Sequence, residues 1–66
     1  MAHAELYTVE TRDAGGRRRE TAFEQGDAFK AALTYRDRQI ADGMRANVFR
    51  VEGGFKTGRR ILIVSE

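Results

Sequence analysis

The stretch that decides the fold is residues 26–43, GDAFKAALTYRDRQIADG. Within it, five side chains fall at the i, i+3, i+4, i+7 and i+11 spacing of one helix face. These residues are Phe29, Ala32, Leu33, Arg36 and Ile40. Asp27 is suited to cap the helix start, because its carboxylate can accept hydrogen bonds from the free N–H groups of the first turn. Gly43 is suited to end the helix, so the pattern predicts one amphipathic helix between these two residues.

Two strands are predicted before the helix. Residues 5–12 alternate in polarity and are rich in β-branched and aromatic side chains, which is typical of a strand. This alternation places Tyr7, Val9 and Thr11 on one face. Residues 13–16, Asp-Ala-Gly-Gly, follow, and paired glycines can provide the positive φ angles of a tight hairpin turn. Residues 17–25 are then the return strand.

Two more strands are predicted after the helix. Residues 46–52 alternate, and we assign Phe49 and Val51 to the core face and Val48 and Arg50 to the other. A glycine pair at 53–54 marks a turn before the last strand, residues 59–65. The order ββαββ predicts one α+β domain, an antiparallel sheet with the helix packed across one face. The predicted core consists of Tyr7, Val9, Phe23, Phe29, Leu33, Ile40, Phe49, Val51, Ile61 and Ile63.

Length and composition limit what this domain can be. The chain has 66 residues, room for one domain over 1–66, of which residues 1–4 are expected to be flexible. It has no cysteine, which excludes disulfides and thiolate metal sites. Its longest apolar run, residues 61–64, is too short to span a bilayer, and no signal-peptide pattern opens the chain. The expected compartment is therefore cytoplasmic.

No catalytic constellation is recognisable in the sequence. The only serine, Ser65, and the only histidine, His3, lie near opposite chain ends, whereas nucleophilic catalysis needs such a pair within hydrogen-bond reach. Residues 53–58, GGFKTG, have the wrong order for a phosphate-binding loop and join two strands. We therefore expect a binding protein rather than an enzyme, with no cofactor and no metal.

Two surfaces are candidates for binding. The first is Arg17-Arg18-Arg19, which is either a charged edge that blocks unwanted strand pairing or a contact to phosphates or an acidic protein surface. The second is the sheet face opposite the helix, called the open face below. Strand alternation is expected to bring two groups of residues to it: the apolar Leu6, Ala22, Val48, Leu62 and Val64, and the cationic Arg18, Arg50 and Arg60. The predicted partner-binding residues are Arg17, Arg18, Arg19, Arg50, Phe55, Lys56, Arg59, Arg60, Leu62 and Val64, with Arg45 as an extension.

The chain as a whole resembles small phage-encoded anti-CRISPR proteins of the type I systems. The resemblance rests on two hairpins around one helix, with Tyr7-Thr8-Val9-Glu10 leading in and Val48-Phe49-Arg50-Val51-Glu52 leading to a glycine turn. It implies a non-enzymatic inhibitor that docks on the guide-RNA surveillance complex and blocks target DNA. The chain departs from the acidic, DNA-mimicking members because its net charge is +2.

Three functions are therefore left open by the sequence. The first is a small inhibitor, of phage or mobile-element origin, that binds a host protein or nucleoprotein complex through the open face and its arginines. The alternative is a basic nucleic-acid-binding module whose arginines contact phosphates. The third is a homodimer that assembles through the open face or the last strand. The strand order, which decides whether the last strand is central or an edge, also stays open.

Overall fold

The computed structural model describes residues 5–53 and 58–65 of the chain. Its elements are β1 (Leu6–Arg12), β2 (Arg18–Phe23), α1 (Ala28–Ala41), β3 (Arg45–Glu52) and β4 (Arg59–Val64). All three strand pairings are antiparallel, and the helix packs on one face of the sheet. The predicted α+β architecture, ββαββ, is confirmed.

The strand order in the sheet is β2-β1-β3-β4. The two central strands are therefore the first strands of the two hairpins. β3 pairs with β1 over the whole of β1, from Leu6 opposite Val51 to Arg12 opposite Arg45. Both return strands are edges. This settles the position of the last strand, which the sequence left open: β4 is an edge.

The first hairpin turn is built around Asp13. Its backbone carbonyl accepts a hydrogen bond from the N–H of Gly16 at 3.0 Å, and its carboxylate accepts one from the N–H of Arg17 at 2.9 Å. Gly16 has a φ of 85°, in the left-handed region that favours glycine. Gly15 is not among the positive-φ residues. The expectation that both glycines provide positive φ angles is therefore wrong for Gly15.

Both predicted helix ends are confirmed. Asp27 is the N-cap, and its carboxylate accepts a hydrogen bond from the backbone N–H of Lys30 at 3.1 Å. At the other end Gly43 has a φ of 89°. The Gly43 N–H donates to the carbonyl of Ile40, and the Met44 N–H donates to the carbonyl of Gln39, both at 2.9 Å. This pair of bonds is a Schellman motif, and it turns the chain out of α1 directly into β3.

The core lies between the helix and the two central strands. Its buried members are Tyr7, Val9, Ala28, Ala32, Ala46 and Val48, and Phe23, Leu33, Tyr35 and Val64 pack against them. Val9 and Val48 are fully buried and directly opposite each other. The prediction that Tyr7 and Val9 belong to the core is confirmed, and Phe23 and Leu33 contribute to it while remaining partly exposed.

The predicted faces of β3 are reversed in the structure. Val48 lies opposite Val9 and Arg50 lies opposite Tyr7, and directly opposite residues share a face of the sheet. Val48 and Arg50 are therefore on the helix side, and Phe49 and Val51 are on the open face. The prediction was wrong because both faces of β3 carry apolar residues, so that alternation alone allows either phase.

In β4 a bulge changes the phase near the end of the strand. Phe49 pairs with Leu62 and Val48 pairs with Val64, which leaves Ile63 as an extra residue without a partner in β3. Val64 consequently packs against the core, and its predicted place on the open face was wrong. Ile63 was predicted to be a core residue, but its side chain is 39% exposed.

The helix is rotated relative to the predicted apolar face. Ala28 and Ala32 are its buried residues, and these small side chains let the helix lie close to the sheet. Phe29 and Ile40 are each 39% exposed, so their assignment to the buried core was wrong. Phe29 nevertheless contacts the core at its edge, where its ring centroid lies 5.2 Å from that of Tyr7.

Candidate binding surface

Three arginines stand in a row across one end of the open face. In the sheet register Arg12 is directly opposite Arg18 on one side and directly opposite Arg45 on the other. We call these three residues the arginine row. It crosses β2, β1 and β3 at the end of the sheet where the first hairpin turn and the helix-to-β3 turn lie.

Two members of the arginine row, Arg12 and Arg18, are cations that face each other across β1 and β2. All three residues are exposed, and within the described ranges no ion pair joins Arg12 or Arg18 to a carboxylate. Side chains directly opposite on antiparallel strands have Cβ atoms about 4.5–5.5 Å apart, and like charges so placed destabilise the sheet. Arg12 and Arg18 are therefore a pair of like charges that an anion would stabilise.

A solvent-open depression adjoins the arginine row. It lies between the two turns at this end of the sheet and is lined by Arg12, Asp13, Ala14, Gly16, Gly43 and Arg45. Asp13 is the acid in this lining, and one of its carboxylate oxygens already accepts the hydrogen bond from Arg17. Two arginine side chains therefore face a space bounded by short turn residues, where a phosphate-sized group can approach them.

The next row along the open face is acidic, and Arg60 compensates it. Glu10 and Glu20 are directly opposite each other. The Nη1 atom of Arg60 lies 2.6 Å from Oε2 of Glu20 and 3.6 Å from Oε2 of Glu10. On its way from β4 the guanidinium passes over the ring of Phe49, 4.4 Å from the centroid. Arg60 therefore already has two acidic partners on this face.

The three consecutive arginines do not share one surface. Arg17 lies in the turn, Arg18 is on the open face, and Arg19 is opposite Thr11 on the helix side. Only Arg18 of the three joins the arginine row. The predicted run of three arginines is therefore not a continuous cationic strip. It contributes one residue, Arg18, to the candidate site.

Arg18, Arg50 and Arg60 were predicted to share the open face. This prediction is correct for Arg18 and Arg60 and wrong for Arg50. Arg50 lies on the helix side, where its guanidinium is 2.9 Å from the carboxylate of Glu52. The cause is the reversed phase of β3. Arg50 is also neutralised by a neighbour two residues away on the same strand face.

The remaining predicted residues lie at or near β4. Arg59 is exposed and opposite Glu52, and Leu62 is on the open face with 53% of its side chain exposed. Val64 packs against the core and is only partly exposed. Phe55 and Lys56 lie outside the described residues.

One member of the arginine row was missed by the sequence reasoning. Arg12 is in phase with Leu6, Thr8 and Glu10, and the turn at 13–17 places it opposite Arg18. Counting the residue pairs of the first hairpin outward from that turn would have placed Arg12 opposite Arg18 and so identified Arg12. Arg45 was identified only as an extension of the patch.

Tyr7 has a raised pKa, and it lies on the helix side, away from the arginine row. Its hydroxyl donates a hydrogen bond to the carboxylate of Glu5. That hydrogen bond and the burial of the ring, which is 7% exposed, raise the pKa of Tyr7 above 10.0. Both effects favour the neutral phenol, so this residue is a neutral core group.

No other special site is found in the described part of the chain. Across residues 5–53 and 58–65, no group of three or more His, Cys, Asp or Glu side chains is placed to hold a metal ion. Among the same residues, no helix is long and apolar enough to cross a membrane.

Comparison with known protein families, with curated proteins and with solved structures finds no match for this chain.

Proposed function

We propose that this chain is a non-catalytic binding protein whose arginine row contacts the phosphates of a nucleic acid, free or within a nucleoprotein complex. The observation that carries the proposal is the direct cross-strand placement of Arg12 between Arg18 and Arg45. Arg12 and Arg18 are like charges directly opposite each other, and such a pair costs the sheet stability unless an anion lies between them.

Phosphate is the anion that best fits arginine side chains on a flat sheet face. A guanidinium is planar and can donate two parallel hydrogen bonds to phosphate oxygens, and it stays charged at any physiological pH. The adjoining depression exposes Arg12 and Arg45 between two short turns. A phosphate group can therefore approach both guanidinium groups from the solvent.

The test is fluorescence anisotropy with labelled single-stranded and duplex DNA over a series of salt concentrations. Three phosphate contacts predict that log K falls with log salt with a slope of roughly −2 to −3. The double variant Arg12→Ala/Arg18→Ala should make the slope of log K against log salt less steep, by the amount expected for the loss of about two phosphate contacts. Its matched control is Lys30→Ala/Arg38→Ala, which removes the same charge from the exposed surface of α1.

Two results would reject phosphate binding by the arginine row. One is the absence of any complex with either DNA at low salt. The other is an equal loss of affinity in the row variant and in the helix control, because that would mean that only net charge matters.

A second candidate is the inhibitor that the resemblance to anti-CRISPR proteins implies. It is favoured by two apolar side chains on the open face that remain exposed, Leu62 and Ala22. Such an inhibitor would bind a guide-RNA surveillance complex and displace its target duplex while having no affinity for naked DNA. A gel-shift assay of that complex with and without the chain separates the two functions, since a phosphate-binding protein shifts the naked duplex.

A further inference from the structure

The edge strand β4 is apolar and exposed. Four consecutive residues, Ile61–Val64, are aliphatic, and Leu62 and Ile63 are 53% and 39% exposed. An exposed apolar edge presents unpaired backbone groups to any strand that can reach them. The bulge at Ile63 interrupts the pairing with β3, yet it places no charge on the outer edge.

The other edge of the sheet is guarded in the usual way. β2 carries Arg18, Arg19 and Glu20 in its first half, and charged side chains on an edge oppose pairing with another strand. In β4 the only charges are Arg59 and Arg60 at its start. Arg60 is directed across the open face to Glu20 and does not shield its own edge.

The helix also leaves β4 uncovered. α1 lies close to β1, β2 and β3, and no close backbone approach joins it to β4 among the described residues. Tyr35 packs its ring against Phe23 of β2, with centroids 5.5 Å apart. Phe29 and Ile40 lie roughly 120–140° around the helix from Tyr35, so they are turned away from β2. The four exposed large hydrophobic residues of the described chain are therefore those on β4 and on this side of the helix.

We infer that β4 pairs antiparallel with β4 of a second copy of this chain, which makes one continuous sheet across a twofold dimer. A twofold axis between Leu62 and Ile63 sets the aliphatic run of one copy against that of the other. It also places the two Arg59–Arg60 pairs at opposite ends of the joint, with the two Arg60 residues about 17 Å apart along the strands at 3.3 Å per residue. A parallel arrangement would bring the same arginines side by side, so charge selects the antiparallel, self-complementary pairing.

The size of the molecule is compatible with such an interface. Specific interfaces bury about a tenth of a small protein's surface on each side and need roughly 1,000 Å² in total. A tenth of the 4972 Å² surface on each copy gives about 1,000 Å² for the pair, which is the lower limit for a specific interface. The dimer does not involve the arginine row, which lies on the other three strands, so the two proposals stand or fall separately.

Sedimentation velocity over a concentration series tests the dimer. The wild-type chain should change from monomer to dimer as its concentration rises. Leu62→Lys should raise the dissociation constant by at least about tenfold, since it places two like charges near the axis. Ala22→Lys is the matched control, because it adds the same charge to the open face of the guarded edge, and it should leave the dissociation constant unchanged.

The inference is overturned by a wild-type chain that sediments as a monomer at every concentration. It is equally overturned if Ala22→Lys weakens association as much as Leu62→Lys does. Circular dichroism establishes that each variant is folded. Ile63→Lys repeats the test at the neighbouring exposed position should Leu62→Lys fail to fold. DNA binding measured in parallel reports on the arginine row alone.

Discussion

Arg60 and Glu20 tie the two edges of the sheet together. They are 40 residues apart in sequence, and their side chains meet at 2.6 Å above the two central strands. The same guanidinium relieves the repulsion between Glu20 and Glu10, which stand directly opposite each other. One cation thus connects β4 to the first hairpin across a face that the helix does not cover.

Arg60→Ala should destabilise the fold by about 1 kcal/mol. Partly exposed ion pairs contribute roughly 0.2–1 kcal/mol and an exposed cation–π contact about 0.5–1 kcal/mol. For a domain of this size, 1 kcal/mol lowers Tm by about 4–8 °C. Thermal denaturation at low salt measures this, and the loss should shrink at high salt as the ion pairs are screened. Arg59→Ala is the control, and an equal loss in that variant would contradict the assignment.

Thr8→Val should stabilise the protein by about 1 kcal/mol. Thr8 is fully buried, and its hydroxyl has no hydrogen-bond partner among the described residues. Replacing an unsatisfied buried hydroxyl by a methyl group removes its desolvation cost without changing the shape of the side chain.

Thr11→Val is the matched control for Thr8→Val. Thr11 is 1% exposed, and its hydroxyl donates to the backbone carbonyl of Arg19 at 3.3 Å. The same substitution there should be destabilising, because it leaves that carbonyl without this donor. Urea denaturation of both variants gives the two signs, and a loss of stability in Thr8→Val would show that its hydroxyl is satisfied.

Gly16→Ala should cost about 1 kcal/mol, whereas Gly15→Ala should be neutral or slightly stabilising. A Cβ at Gly16 meets no atom within 4 Å, so the cost there comes from its φ of 85° and not from a clash. At Gly15, an added Cβ would lie 3.4 Å from a carboxylate oxygen of Asp13, an ordinary contact. Alanine at that position also reduces the entropy of the unfolded chain. Equal effects of the two substitutions in urea denaturation would contradict this turn geometry.

The phenol of Tyr7 should titrate above pH 10 in the folded protein. Because the folded pKa is raised, Tyr7 contributes stability that is fully present below pH 10 and is lost as the pH rises through the folded pKa. Ultraviolet absorbance of a Tyr35→Phe variant follows Tyr7 alone. Glu5→Gln should lower the pKa, since the carboxylate is both the hydrogen-bond acceptor and a nearby negative charge. An unchanged titration in Glu5→Gln would remove Glu5 as the cause.

The parts of the fold that depend on local chemistry could be predicted from the sequence. Asp27 and Gly43 define the helix ends through hydrogen bonds within five residues, and the strand and turn positions follow from alternation and glycine placement. The faces of β3 could not be predicted, because Val48 and Phe49 are both apolar and the choice depends on pairing with β1. The extra residue Ile63 is a further tertiary feature, and it inverted the expected place of Val64.

In the candidate site too, local features could be predicted from the sequence and tertiary features could not. Arg18 was identified from a local run of charge. Arg12 and Arg45 become its neighbours only through the pairing of β1 with both β2 and β3. Arg60 was assigned to the binding surface because its partners Glu10 and Glu20 are far away in sequence and not visible as partners there.

The pairing of β1 with β3 also has a consequence for how the chain folds. Each hairpin can form from neighbouring residues, but the core needs Val9 against Val48, and this contact closes a loop that contains β2 and the whole helix. The entropy of closing that loop is lost before the core contacts compensate for it. Neither hairpin is therefore a stable half of the molecule. We therefore predict that the pairing of β1 with β3 limits the folding rate and that unfolding is cooperative, with coincident transitions by circular dichroism and by tyrosine fluorescence.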